Sequence, residues 1–260
     1  MERKIDPEIN ISFNSKNDFE YDLPLYRVVP LNRLQRMLLR NQLTITLTNT
    51  WEDVYENFLL KSAFQYGILK NQTLESYQDT LYGLCFTLKR ETDAMWRIYS
   101  YDKNSVRIST NLNLIIEMLK KGPINSPYRK FEIRIGEVEY PTIRELRRRY
   151  SLIAETDIID NFNDHLFDSM FLKRNEFNHE KEFRIIIRGL NPVIKSTREL
   201  PNYLFFPIEP NDFIEAIAFD PRLDNRTYQT NKEVLEKIGY NKKVLRTNLY
   251  RFDEISFKTN

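Results

Sequence analysis

Apolar and polar residues alternate with a period of two in many short runs of this chain, and each such run predicts a β-strand. Leu25-Tyr26-Arg27-Val28-Val29, stopped by Pro30, is the first clear case. Leu43 to Leu47, Leu81 to Leu88, Ser105 to Ser109, Phe131 to Tyr140, Tyr203 to Phe206 and Val244 to Tyr250 follow, and Phe213 to Phe219 runs into Asp220-Pro221. In Leu81 to Leu88, Tyr82, Leu84 and Phe86 face one way and Cys85 and Thr87 the other. Ile9, Ile11 and Phe13 alternate within an N-terminal arm, residues 1–23, and predict an added edge strand.

Helical spacing marks the rest. Leu31, Leu34, Leu38 and Leu39 predict a helix to about Asn41, and Trp51 to Tyr66 a second, with Glu52, Asp53 and Glu56 in its first turns. Asn71 to Asp79 is polar and reads as a loop. Ala94 to Tyr99 gives one or two helical turns. Thr110 or Asn111 caps a helix through Leu114, Ile115, Met118 and Leu119 that Gly122 stops. Thr142 to Arg174 is the longest helical region, with Ile159, Phe162, Leu166 and Met170 on one face. Asn231 is expected to cap a last helix ending at Gly239. Strands outnumber helices and interleave with them irregularly, which predicts an α+β fold: one domain over 24–260, carrying a helical insertion around 142–174.

The stretch Phe177 to Arg188 adds chemistry to this pattern. If it is extended throughout, Glu180, Glu182 and Arg184 share one face and Phe183, Ile185 and Ile187 the other. The charged face is then either a cross-paired ladder on an exposed sheet or the rim of a cleft.

Composition narrows the classes. With 260 residues and 41% hydrophobic content the chain can bury a substantial core. The 39 basic and 37 acidic residues nearly cancel, so no global field demands a nucleic acid or a membrane. No stretch reaches the length of a membrane span, and the polar N-terminus lacks a signal core. A single cysteine, Cys85, cannot pair within the chain and fits a reducing, cytoplasmic setting. His165 and His179 have no partner at ligand spacing, so no metal is expected.

The chain resembles a widespread bacterial family of uncharacterised domains found in mobile and defence loci, over roughly residues 24–223. The residues that carry the likeness are Leu25-Tyr26-Arg27, Thr48 to Asp53 with Glu56, Leu84-Cys85-Phe86-Thr87, Met95-Trp96 with Tyr99, Val138-Glu139-Tyr140, Lys173 before Glu180-Lys181-Glu182-Phe183-Arg184, and Ile217 to Pro221. Thr87 stands where that family usually has Ser. The order of parts is similar to that of the ADP-ribosyltransferase superfamily, with Arg on a first strand, Ser or Thr on a middle one and Glu-x-Glu on a late one. The resemblance implies split antiparallel sheets flanked by helices, and NAD as substrate. It implies Arg27 for the pyrophosphate and Thr87 near the nicotinamide ribose.

Nicotinamide leaves NAD as a neutral molecule, so the chemistry needs no proton donor to the leaving group. One carboxylate, assigned to Glu182, suffices to stabilise the cationic ribosyl transition state, and Glu180 orients or deprotonates the acceptor. Tyr26, Trp96 and Tyr99 are candidates to stack on the bases, with core packing as the alternative for Trp96. Arg147 and Arg148, the neighbouring Arg144 and Arg149, the Lys173-Arg174 pair and Arg184 offer places for an anionic acceptor such as RNA, while a protein acceptor is also compatible. Family context implies a toxin or phage-defence effector and an antitoxin partner. Two alternatives remain: a metal-dependent nuclease using Asp168, Glu180 and Glu182, and a non-catalytic module whose paired acids face a basic partner.

Overall fold

The computed structural model describes residues 7–14, 19–51, 53, 55–56, 80–155, 158–192 and 201–251. Their architecture is α+β, a large mixed sheet with helices against it. The strands are β1 (Glu8–Phe13), β2 (Pro24–Pro30), β3 (Gln42–Leu47), β4 (Leu81–Thr87), β5 (Ser105–Asn111), β6 (Tyr128–Glu137), β7 (Glu182–Pro192), β8 (Tyr203–Pro207), β9 (Ala216–Phe219) and β10 (Lys243–Arg246). The helices are α1 (Leu31–Arg40), α2 (Asp93–Tyr99), α3 (Leu112–Lys120), α4 (Ile143–Glu155), α5 (Ile158–Ser169), α6 (Pro210–Phe213) and α7 (Asn225–Lys237). The expected helix from Trp51 and the loop at 71–79 lie largely outside the described residues.

The sheet runs β1-β6-β7-β4-β2-β5-β9-β10. The outermost pairs, β1 with β6 and β9 with β10, are parallel, and the others antiparallel. On one side β4 pairs with β7 along its whole length. Its other side is shared: Thr87 pairs with Tyr26 of β2, whereas Tyr82 and Gly83 pair with Leu47 and Thr46 of β3, which continues to β8. The sheet therefore forks at β4, and the fork opens beyond the Tyr26–Thr87 pair.

Alternation sorts the two faces. Tyr82, Leu84, Phe86, Phe183, Ile185 and Ile187 join α1 and α3 in the main core, with Leu34, Ile115 and Leu119 fully covered. Each such side chain contributes roughly 1.5–3 kcal/mol by leaving water. Leu81 and Ile186 face the other way and form a second core with Leu146, Leu166, Phe167, Met170 and Phe171 from α4, α5 and the turn after them. The region 142–174 is thus two helices that cover the opposite face of the sheet.

Caps account for the boundaries. Asn111 accepts from the Leu114 amide at 3.0 Å to start α3, and Gly122 ends it at φ 68°. Asp224, not Asn231, caps the last helix by accepting from Thr227 N at 2.9 Å, so Asn231 lies inside α7. The alternating residues at 9–13 form the expected edge strand, continued by Asn14 N donating to Ile135 O at 2.8 Å.

Candidate active site: a buried charge cluster at the start of β7

Glu180 is not on the strand. It ends a 3-10 turn, Asn175–Glu180, and Lys181 then adopts a left-handed conformation (φ 45°) before β7 begins at Glu182. This reversal, rather than strand alternation, brings the two carboxylates together. Lys173 lies between them, its Nζ 2.6 Å from Glu180 Oε2, 2.7 Å from Glu182 Oε1 and 3.4 Å from Glu56 Oε1. Arg184 shares the face of Glu182 and donates from Nε to its Oε2 at 2.5 Å, from Nη2 to Glu56, and from Nη1 to the Met170 carbonyl at 2.7 Å. The Phe177 ring covers Lys173 and the Trp51 ring covers Arg184, at 4.6 and 4.5 Å. Gly83 makes room for Trp51: a Cβ there would lie 2.3 Å from the ring.

Three carboxylates and two cations leave this cluster one formal negative charge. All five groups are buried. Burial pushes the Glu182 carboxyl up, but Arg184, the hydrogen bond shared with Glu180 and Lys173 together hold it far below the usual carboxylate range. Glu180 moves the other way: burial, then the close Glu182 carboxylate, raises it against the pull of Lys173. The pair thus divides into a fixed anion and a carboxylate that can take up a proton. Tyr99 donates to Glu180 Oε1 at 2.7 Å, and burial followed by the Glu180 charge raises its hydroxyl so that it stays a donor. Tyr140 Oη accepts from the Glu182 amide at 2.7 Å.

The other expected site residues divide. Register places Tyr26, Thr87 and Glu182 side by side on one face across β2, β4 and β7. Thr87 is buried, donates to the Glu180 carbonyl at 2.6 Å and accepts from Lys89 N at 3.0 Å. Its hydroxyl braces the turn that carries Glu180. Arg27, next to Tyr26, alternates to the opposite face with Leu25 and Val29, and its guanidinium is desolvated near Cys85 and Arg33. Its charge still lies near Cys85, whose thiol also stands near Glu182 and Arg184 on the Glu182 face. Beside Tyr26 on that face lies the guanidinium of Arg107 of β5, 5.3 Å from the Tyr26 ring centroid. Arg107 was missed; its only signal was a charge set between Val106 and Ile108 in an apolar strand.

Trp96 is a core residue, fully covered, with Nε1 donating to Glu91 at 2.7 Å, so it does not present a stacking face. Tyr99 remains 44% exposed. Arg184 is not acceptor-binding: it is 0% exposed and committed to Glu182, Glu56 and Met170. Nor is the Lys173-Arg174 pair free, since Lys173 fills the acid cluster and Arg174 bonds Asp53 at 3.1 Å. Arg147 and Arg148 are exposed on α4. Asp168 is held by Arg134 at 2.9 Å and does not join Glu180 and Glu182, so the expected nuclease trio is not assembled. Among the described residues no group of three His, Cys, Asp or Glu side chains is arranged to hold a metal, and no helix is long and apolar enough to cross a membrane.

The model of a family described as a protein of unknown function, DUF2971, matches residues 95–185. That segment includes Tyr99, Arg107, Lys173 and the Glu180–Arg184 run. No curated protein matches the chain. Solved structures that resemble it include those of Thermus sp. 2.9 DarT. The complex with NAD+ is 11% identical, covers 88% of this chain and 98% of its own, and has a TM-score of 0.40. The complex with ADP-ribosylated ssDNA is 12% identical, covers 90% and 98%, and has a TM-score of 0.39.

Proposed function

We propose that this chain transfers ADP-ribose from NAD to an acceptor, and that the cluster around Glu182 is where it does so. The observation that carries the reading is the buried, net-negative constellation of Glu56, Glu180 and Glu182 with Lys173 and Arg184. When the bond from C1′ of the ribose to the nicotinamide nitrogen breaks, its electron pair leaves with the nicotinamide and the sugar becomes cationic. A low-dielectric site holding one excess negative charge favours that state. Glu182, kept ionised, supplies the field; Glu180 takes the proton of the acceptor nucleophile as it bonds to C1′. Tyr99, half-exposed on Glu180, and Tyr26, on the Glu182 face, are the proposed contacts to the nicotinamide ribose and the base, and Arg27 a contact to the pyrophosphate. Arg147 and Arg148 are proposed to meet the acceptor, a nucleic acid or a protein.

The nuclease reading is weaker on a positive ground: the centre of the three carboxylates is taken by the Lys173 ammonium. The test is incubation with NAD labelled on its adenylate phosphate, with RNA, single-stranded DNA and cell protein as separate acceptors. Label is expected on one of them, with Glu180→Gln reducing transfer by roughly a hundredfold or more. Wild-type activity in folded Glu180→Gln and Glu182→Gln proteins would remove the mechanism.

A further inference from the structure

A second polar site lies on the same face of the sheet, outside the acid cluster. The row Glu182, Thr87, Tyr26 continues to Ser109 of β5, Ala216 of β9 and Lys243 of β10. From β7 to β5 is three strand spacings, roughly 14 Å. One pleat along, Arg107 neighbours Ala218, which neighbours Leu245, so Arg107 and Leu245 share that face too.

Around these residues is a cavity of about 480 Å³ lined by Arg90, Glu91, Arg107, Lys243, Arg246 and Thr247 among others. Cations outnumber the single acid in this lining, and that acid already accepts from Trp96 and stands 3.9 Å from Arg107. Arg246 alternates to the other face of β10, where Asn225 and the Leu223 carbonyl hold its guanidinium, so Arg90, Arg107 and Lys243 are the cations on this side. Arg107 is 4% exposed, and its Nη1 donates to the Arg90 carbonyl. Its Nε, and the Thr247 hydroxyl in the same wall, are buried without a hydrogen-bond partner among the described residues. An unsatisfied buried donor on a guanidinium costs free energy that an anion in the cavity would recover.

We infer that this cavity binds the phosphate ester of a nucleotide, through Arg107 and Thr247 in its wall and Lys243 at its exposed edge. Its size suits a nucleotide-scale group, and its cationic donors suit a phosphate, which carries more charge and more acceptor oxygens than a carboxylate. The phosphate has two possible sources, a dinucleotide's own diphosphate or the backbone of a nucleic-acid strand. The site goes beyond the transferase reading and is tested by binding alone.

Titration calorimetry with inorganic pyrophosphate is expected to show saturable binding that weakens by at least about tenfold in Lys243→Glu, an exposed position, and in Arg107→Gln. Displacement by ADP-ribose and not by a short single-stranded oligonucleotide assigns the cavity to a dinucleotide; the reverse assigns it to a strand backbone. Absence of pyrophosphate binding to the wild type, or unchanged affinity in folded Lys243→Glu, overturns the proposal. Glu180→Gln is expected to leave pyrophosphate affinity unchanged, so loss of the transferase mechanism and loss of this site are read separately.

Discussion

Lys173 satisfies two carboxylates at once, so the cost of removing either one depends on what else holds it. Glu182 accepts from Arg184 Nε with one oxygen and from Lys173 with the other. Glu182→Gln replaces the carboxylate that accepts from both buried cations and is expected to destabilise by about 3–5 kcal/mol, measured by denaturant unfolding. Glu180→Gln leaves Lys173 with Glu182 and Glu56 and is expected to stay within about 1 kcal/mol of the wild type at neutral pH. Activity measured on the Glu180 variant is therefore the cleaner test of chemistry. The pH dependence follows from the opposite shifts. The folded pKa of Glu182 lies below its ordinary 4.5, so its contribution is complete above that value and is lost only as pH falls well below it. The folded pKa of Glu180 lies above 4.5, so its contribution is complete below 4.5 and is lost as pH rises through the folded value. Thermal unfolding between pH 4 and pH 7 is expected to show the wild type losing stability with rising pH relative to Glu180→Gln; parallel curves would contradict that shift.

At the scale of elements, β4 and its neighbours fix where these side chains sit. Gly83 lies beneath Trp51, which covers Arg184, so Gly83→Val is expected to force the indole away and cost about 1–3 kcal/mol. A melting temperature unchanged in Gly83→Val would show that Trp51 is not required over the cluster. Strand alternation was plainly legible: the apolar run at Tyr82, Leu84 and Phe86 and its opposite set at Cys85 and Thr87 fell on the faces read from the sequence. Helix starts were less so, because Asp224 and Asn231 both suit a cap and only packing chooses between them. Glu180 was placed on a strand because a left-handed lysine leaves no composition signal, unlike glycine or asparagine. The pairing of Lys173 with acids seven and nine residues on was hidden for the same reason, since it needs the chain to double back.

For the whole molecule, the fork at β4 divides the sheet into a β1-β6-β7 side, continued through β3 and β8, and a β2-β5-β9-β10 side. The acid cluster lies on the first and the basic cavity on the second, joined by the Tyr26–Thr87 pair. The N-terminal strand stiffens the first side: Ile9 and Ile11 pack on the main core, and Phe19 meets Phe183 edge-on at 5.3 Å. Removing residues 1–14 is expected to lower the melting temperature by several degrees and to bare the edge of β6, raising light scattering on heating. A truncated protein as stable and as dispersed as the full chain would show that β1 is dispensable.

The left-handed backbone at Lys181 sets the spacing of the acids by chirality alone. A β-branched residue there disfavours that conformation, whereas glycine adopts it freely. Lys181→Gly should thus keep the two carboxylates in step, and Lys181→Val should slide Glu180 out of reach of Lys173 without touching an ionisable side chain of the cluster. The separation of a proton acceptor from a fixed anion would then be adjustable through one dihedral angle, in a place where no alanine scan of charged residues would look.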